Sequence, residues 1–388
     1  MNSSLETGEV ASSSGRGWGG WQARDLAPLA SLAALVVFFS LATPQFLQMS
    51  TLTAILKQGA VLAIVSAGLT FVLLCAEIDL AVGMTALWAA CFCGWLTERW
   101  ASAPGGSLDP LAAAATLALP LGSCLVMGFL SGVLTVWSRL PSFIVSLAMM
   151  FIAEGSARYL TKGQILPVPQ LLQTLGNRGF RLGETLLLPY SALLAAAVML
   201  LGHLVLQHTR FGRYVYMTGG NREAARLSGV RTGRVVVACL VICAVTAGIG
   251  GLVNAGRLTK VSSDQNKDLL LSAVACVVLG GTSLFGGEGS MGRTVIGVLT
   301  FTVLNVGLMQ IRWIEDLARQ LLTGAVLVAA LLVNGGLSEP GPRLSLRTNF
   351  RRLLRGLRRA RSPAKHIQTT EAQPPKPEEL LEQRTKTE

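Results

Sequence analysis

The sequence predicts an all-α polytopic membrane protein with about ten transmembrane helices and both termini on the cytoplasmic side. Three observations carry that expectation. Apolar residues fill 51% of the 388 positions and charged residues only 14%, a balance that soluble domains of this length seldom have. The apolar residues fall in runs near the roughly 20-residue length that a helix needs to cross a bilayer core. The cationic excess, +12 in all, is gathered between those runs instead of being spread along the chain.

In order, the runs are 26–42, 52–75, 80–97, 111–136, 141–160, 187–207, 234–256, 269–285, 291–310 and 316–334. They are built of Leu, Ala, Val and Gly without polar alternation, which favours helices over a barrel. The first run follows a polar leader longer than the n-region of a signal peptide, so it reads as an uncleaved span. The break around 75–85 is also compatible with one interrupted helix. Seven cysteines lie in or at the ends of runs and read as small buried hydrophobes. Three histidines stand away from the middle of any span. No metal site and no catalytic residue is expected.

Charge sets the orientation. Arg210, Arg213, Arg222, Arg226, Arg231 and Arg234 face only Glu223 between the sixth and seventh runs. Arg16 and Arg24 precede the first run, and 343–365 holds eight arginines and Lys365 without an acid. Cytoplasmic flanks collect Lys and Arg, and six runs before 207 with four after 234 place all three regions on one side. The expected organisation is a cytoplasmic tail over 1–24, a transmembrane domain over 25–335 with a cytoplasmic loop at 208–234, and a tail over 336–388. In that tail Leu346, Phe350, Leu353, Leu354 and Leu357 recur at helical spacing among arginines, as in a helix lying on anionic lipid. Membrane lipids are thus the expected partner of these arginines, and nucleic acid is not. Beyond 366 the composition is that of a disordered segment.

One stretch is too regular for a mere connector: GGNREAARLSGV, residues 219–230. Asn221 can cap a short helix, Glu223 suits its first turn, and Gly229 can end it. Ala224, Leu227 and Val230 recur at three-residue spacing, with Arg222 and Arg226 on another face. From spacing alone, such a helix either rests on lipid headgroups or docks a soluble partner.

These residues resemble the cytoplasmic coupling segment of ribose/xylose/galactoside-type ABC transporter permeases. Three further stretches resemble that family in its order: EIDLAVG (77–83), LPSFIVSLAMMFIAEGSARYLTKGQ (140–164) and VVLGGTSLFGGEGSMGRTVIG (277–297). The resemblance covers about residues 45–335 at the spacing of the family. It implies an importer permease in the inner membrane, one of two such chains and expected as a homodimer. An ABC ATPase subunit would sit beneath it, and an extracytoplasmic solute-binding protein would deliver a monosaccharide. It also implies that Asn221, Glu223, Ala224, Ala225, Arg226 and Gly229 contact the ATPase. The chain has no Gly-Lys dipeptide and therefore no Walker A loop, so ATP is expected to be a partner's substrate and no cofactor of this chain.

Candidates for the pathway or gate are Asp79, Phe143, Asn254, Gly280, Gly281, Thr282, Ser283 and Asn305, with Gln164 near the outer mouth. Asp79 precedes an apolar run, where helix capping competes with a functional role. The glycines suit either tight helix packing at a cytoplasmic turn or a broken helix lining a path. Thr282 and Ser283 either offer hydroxyls to that path or bond back to their own helix. Three positions depart from the family pattern: Glu77 and Arg293 stand where it usually has glycine, and Ala81 where it has serine. Two alternatives stand beside the sugar importer. One is a branched-chain amino-acid ABC permease. The other is a secondary transporter, for which Glu77, Asp79 and Glu154 are the acidic groups near the spans.

Overall fold

The computed structural model describes residues 23–101, 109–182, 186–311, 321–325 and 328. All belong to the first of two compact units, Met1–Ser338; the second, Glu339–Glu388, lies outside the described residues. The leader and the expected basic tail helix therefore fall outside them, as does most of the tenth run.

Helices dominate, in the order α1 (Ala23–Ala42), α2 (Met49–Leu74), α3 (Val82–Trp100), α4 (Pro110–Ser138) and α5 (Ser142–Thr161). A connecting region follows: β1 (Leu166–Pro167), α6 (Gln170–Asn177), β2 (Gly179–Leu182) and β3 (Leu186–Pro189). Next come α7 (Tyr190–His208), α8 (Arg210–Gly220), α9 (Arg222–Leu227) and α10 (Thr232–Leu258). The series closes with β4 (Lys260–Val261), α11 (Leu269–Leu279) and α12 (Met291–Gln310). The strands form two small antiparallel pairs, β1 with β4 and β2 with β3, with Leu166 opposite Val261 and Phe180 opposite Leu188. The first pair joins the segment after α5 to the segment after α10.

Among the described residues six helices are long and apolar enough to cross a membrane: α2, α4, α5, α7, α10 and α12. This makes the chain a multi-pass membrane protein. The ten expected spans are corrected at particular places. Expected span 269–285 is helical only as α11, which at 1.5 Å per residue rises about 16 Å, half a bilayer core. It stops because Gly281 takes a positive φ of 84°, and Gly286 and Gly287 follow at 88° and 74°. The apolar part of α1 is Pro28–Ala42, and α3 ends in charge at Glu98 and Arg99. The break near 75–85 is a true loop between α2 and α3.

The packing order explains the composition. Helix α2 is buried along nearly its whole length because α7, α10, α11 and α12 surround it. A helix with no polar stripe finds its place at such a centre. Gly68 permits a close approach to α10: a Cβ there would lie 2.7 Å from the Cys243 Cα and would run into the Thr246 hydroxyl. Helices α4, α5 and α7 lie outside and present Phe129, Phe151 and Leu201 outward, the apolar belt that lipid would cover. Helix α1 packs on α12, where Phe39 stacks on Phe46 with ring centroids 5.6 Å apart. All seven cysteines are buried and unbridged, as small apolar side chains in helix contacts.

Candidate functional site

Two polar regions stand at opposite ends of the bundle. The first is built around α8 and α9. Thr209 caps α8 by accepting a hydrogen bond from the Gly212 amide at 3.2 Å. Gly212, Val215 and Thr218 form the buried side of that helix. From the same helix Tyr216 donates to the Gly289 carbonyl at 3.0 Å, and burial raises its phenol above the usual range. Asn221 then breaks the helix with an extended backbone and caps α9, its Oδ1 accepting from the Ala224 amide at 2.9 Å. At the other end Gly229, at φ +84°, completes a Schellman motif. Its amide donates to the Arg226 carbonyl and the Val230 amide donates to the Ala225 carbonyl, each at 3.0 Å.

Helix α9 is thus a stiff, capped element of six residues, anchored by Ala225 and Val230 and exposed elsewhere. Leu227 is 79% exposed, and Ala224 is exposed too. The expected stripe of Ala224, Leu227 and Val230 is therefore corrected. Val230 turns inward because the Schellman turn redirects the chain after Leu227. Glu223 and Arg226 pair across one turn at 3.1 Å, both facing outward.

Three loops meet behind α9. The Gly287 amide donates to the Leu74 carbonyl at 3.0 Å, and Gly286 packs on Ala76. Gly219 lies so close to the Leu74 carbonyl oxygen that no Cβ fits between them. Arg222 Nη1 reaches Glu77 Oε1 at 2.9 Å, joining α9 to the loop after α2. That loop is fixed in turn to α5: Ser142 Oγ accepts from the Ile78 amide and Ser146 Oγ from the Leu80 amide, both at 3.0 Å.

The second region is a polar cavity of about 820 Å³. Gln58, Asn254, Arg257, Asn266 and Asn305 contribute its polar groups, from α2, α10, the loop after α10 and α12. Asn254 Nδ2 donates to Asn266 Oδ1 at 2.6 Å, and Asn254 Oδ1 accepts from Arg257 at 3.0 and 3.2 Å. The Asn266 amide nitrogen has no hydrogen-bond partner among the described residues. At the rim Lys267 lies 2.7 Å from Asp264 and holds that carboxyl below the usual range. Gln58 stands 16 residues before Leu74 on α2, so the two regions are about 24 Å apart along it.

The expected pathway residues therefore separate. Asn254 and Asn305 share the cavity. Gly280, Gly281, Thr282 and Ser283 sit at the other end, where Gly280 packs against the Arg293 carbonyl. Thr282 does not bond back to its helix: it is buried, and its hydroxyl has no partner among the described residues. The Ser283 hydroxyl accepts from the Phe285 amide. Asp79 is buried but does not cap α3, which starts at Val82; its Oδ1 accepts from the Ala81 amide at 2.9 Å and closes the turn before the helix. Phe143 is 46% exposed in the first turn of α5 and takes no part in either region. Glu154 is matched by Arg158 at 2.8 Å. Sequence reasoning missed Arg222, Arg257, Asn266, Ser142 and Ser146. Only the cationic run and the departure at Glu77 pointed toward the first of them.

Comparison with known proteins places the chain among permeases. Residues 51–331 match the family described as "Branched-chain amino acid transport system / permease component". The ribose import permease protein RbsC of Escherichia coli K12 is 33% identical over 307 residues, covering 79% of this chain and 92% of that protein. The autoinducer 2 import system permease protein LsrC of Salmonella typhi is 31% identical over 333 residues, covering 85% and 89%. The fructose import permease protein FrcC of Rhizobium meliloti is 29% identical over 306 residues, covering 78% and 82%. No solved structure matches the chain.

Proposed function

Because the chain belongs to the branched-chain amino acid transport system / permease component family, we infer that it is the membrane-spanning permease subunit of an ABC importer. Its solute is a monosaccharide or similar small polar molecule. The relatives that import ribose, fructose and autoinducer 2 favour this over a branched-chain amino acid. The family description names the amino-acid branch, but the sugar-type relatives match over nearly their whole length.

The observation that carries the reading is α9: a capped helix with exposed Glu223, Arg226 and Leu227, held at the convergence of three loops. An energy-coupling contact needs such an element, stiff enough to pass on displacement and open to a soluble partner. Asn221, Glu223, Ala224, Arg226 and Gly229 present or shape this surface, and Ala225 anchors it. A separate ATPase subunit hydrolyses ATP, and this chain supplies the path. The cavity holding Asn254 and Asn305 lies at the extracytoplasmic end, where Gln58, Arg257 and the unpartnered Asn266 amide offer hydrogen bonds to sugar hydroxyls. Gly280 to Ser283 and Asp79 belong to the cytoplasmic gate. A secondary transporter is disfavoured because Glu154 and Glu77 are each paired with an arginine and Asp79 is engaged by the Ala81 amide, so the three acids form no shared ion site.

The full arrangement has about ten spans in the inner membrane, with both termini cytoplasmic. Two copies form a homodimer, and a solute-binding protein loads it from outside.

Pull-down of the tagged chain from mild detergent tests the reading. A Walker A ATPase should be recovered, and lost when residues 221–229 are altered. Recovery of the chain alone, still transporting in vesicles without ATP, would overturn it.

A further inference from the structure

The ion pair between Arg222 and Glu77 links two elements with little else in common. Arg222 is the first residue of α9, and its side chain is 53% exposed. Glu77 is in the loop after α2, and its side chain is 8% exposed. The pair is therefore half buried, with its cation open to solvent and its carboxylate enclosed. A buried carboxylate that loses its cation is left as a stranded charge, which is strongly unfavourable. If Arg222 moves with α9, Glu77 is driven to follow it.

What Glu77 would carry along is also defined. The next backbone amides of its loop, at Ile78 and Leu80, are bound by Ser142 and Ser146 at the start of α5. Asp79 closes the turn between them through the Ala81 amide. The loop therefore behaves as one piece, clamped on one side by an ion pair and on the other by two hydroxyls. This is an unbroken path from the exposed α9 surface through Arg222, Glu77 and Ser142 into a membrane-spanning helix.

We propose that Glu77 is a positioning residue for energy coupling: through Arg222 it makes the 75–81 loop, and with it the start of α5, follow the motion of α9. The proposal rests on the importer reading and adds the route by which the stroke enters the membrane domain.

Site-directed spin labels test it without knowledge of the solute. One label is placed just after α9 as Arg231→Cys, an exposed position outside 221–229 that reports on α9, and another on the loop as Ile78→Cys, a residue that is 41% exposed. The complex of the full chain with its co-purified ATPase is examined with and without ATP plus vanadate. Both labels should change their spectra. In Glu77→Gln, and again in Arg222→Gln, the α9 label should still respond while the loop response falls about fivefold. The persisting α9 response certifies that each variant is folded and assembled. A loop response that survives both substitutions in full would overturn the proposal and leave the importer reading standing. An α9 label that ignores ATP in the otherwise unaltered chain would remove the importer reading and the proposal together.

Discussion

The hydroxyls of Thr70 on α2 and Thr294 on α12 lie 2.9 Å apart in the buried centre of the bundle. Each hydroxyl also faces a carbonyl of its own helix, Thr70 that of Ser66 at 2.7 Å and Thr294 that of Ser290 at 3.3 Å, and either can donate to the other. A cross-helix hydrogen bond of this kind is worth about 0.6 kcal/mol on average in membrane proteins, and at most about 1.7. Thr70→Val should lower the thermal midpoint of the detergent-solubilised chain by a few degrees. Adding Thr294→Val should cost less than it does alone, because the bond is already gone.

Gly219 and Gly220 are neighbours with opposite tolerance. A Cβ on Gly219 would run into the Leu74 carbonyl oxygen, whereas one on Gly220 meets nothing within 4 Å. Gly219→Ala should push α8 off the end of α2 at a cost of about 1–3 kcal/mol and weaken ATPase capture in pull-downs. Gly220→Ala should leave both stability and capture near the parent values. Equal behaviour of the two variants would show that this close approach does not matter.

The cap on α9 should be measurable as affinity. Asn221→Ala removes the acceptor for the Ala224 amide and should cost about 1 kcal/mol of local helix stability. If α9 must be formed to bind, ATPase affinity should fall about fivefold by titration, with Asn221→Asp close to the parent.

The polar cavity should govern uptake without affecting that affinity. Asn254→Leu removes the group that joins Arg257 to Asn266 and leaves the Arg257 donors and the Asn266 Oδ1 acceptor unsatisfied, at about 1–3 kcal/mol. Uptake into proteoliposomes should drop about tenfold or more, and ATPase capture should be unchanged. Loss of capture instead would mean that the change had disturbed the fold.

Much of this was legible in the sequence because it is local. Apolar run length located α4, α5, α7, α10 and α12 to within a few residues, and Asn221, Glu223 and Gly229 announced α9 with its caps. What was not legible depends on meetings between distant segments. Nothing near Asp79 tells that the turn at Ala81 will take its carboxylate before α3 begins. Leu227 has the spacing of a buried residue and is exposed because α9 turns its Ala225 side inward and Val230 is buried only after the turn that follows the helix. The same holds for the site. Asn254 and Asn305 were picked out as polar residues in apolar runs, a signal that survives without a structure. Their partners Arg257 and Asn266 sit at a span end and in a loop, where polar residues are ordinary. The run 269–285 was apolar enough to span, but its glycines took positive φ and cut it to eleven residues.

The enclosure of α2 between Gly59 and Leu74 also bears on how the protein is made. Helix α2 leaves the ribosome roughly 160 residues ahead of α10, which at about 5–20 residues per second is a delay of about 8–30 s. Through that interval its flanks have only lipid and the earliest helices to touch. A side chain satisfied in the finished interior only by a late-arriving neighbour would first have to endure hydrocarbon. The enclosed stretch is apolar apart from Ser66 and Thr70, and the Thr70 hydroxyl bonds back to its own helix. It thus suits two solvents met in succession: the bilayer during synthesis, and protein once α10 and α12 have closed around it.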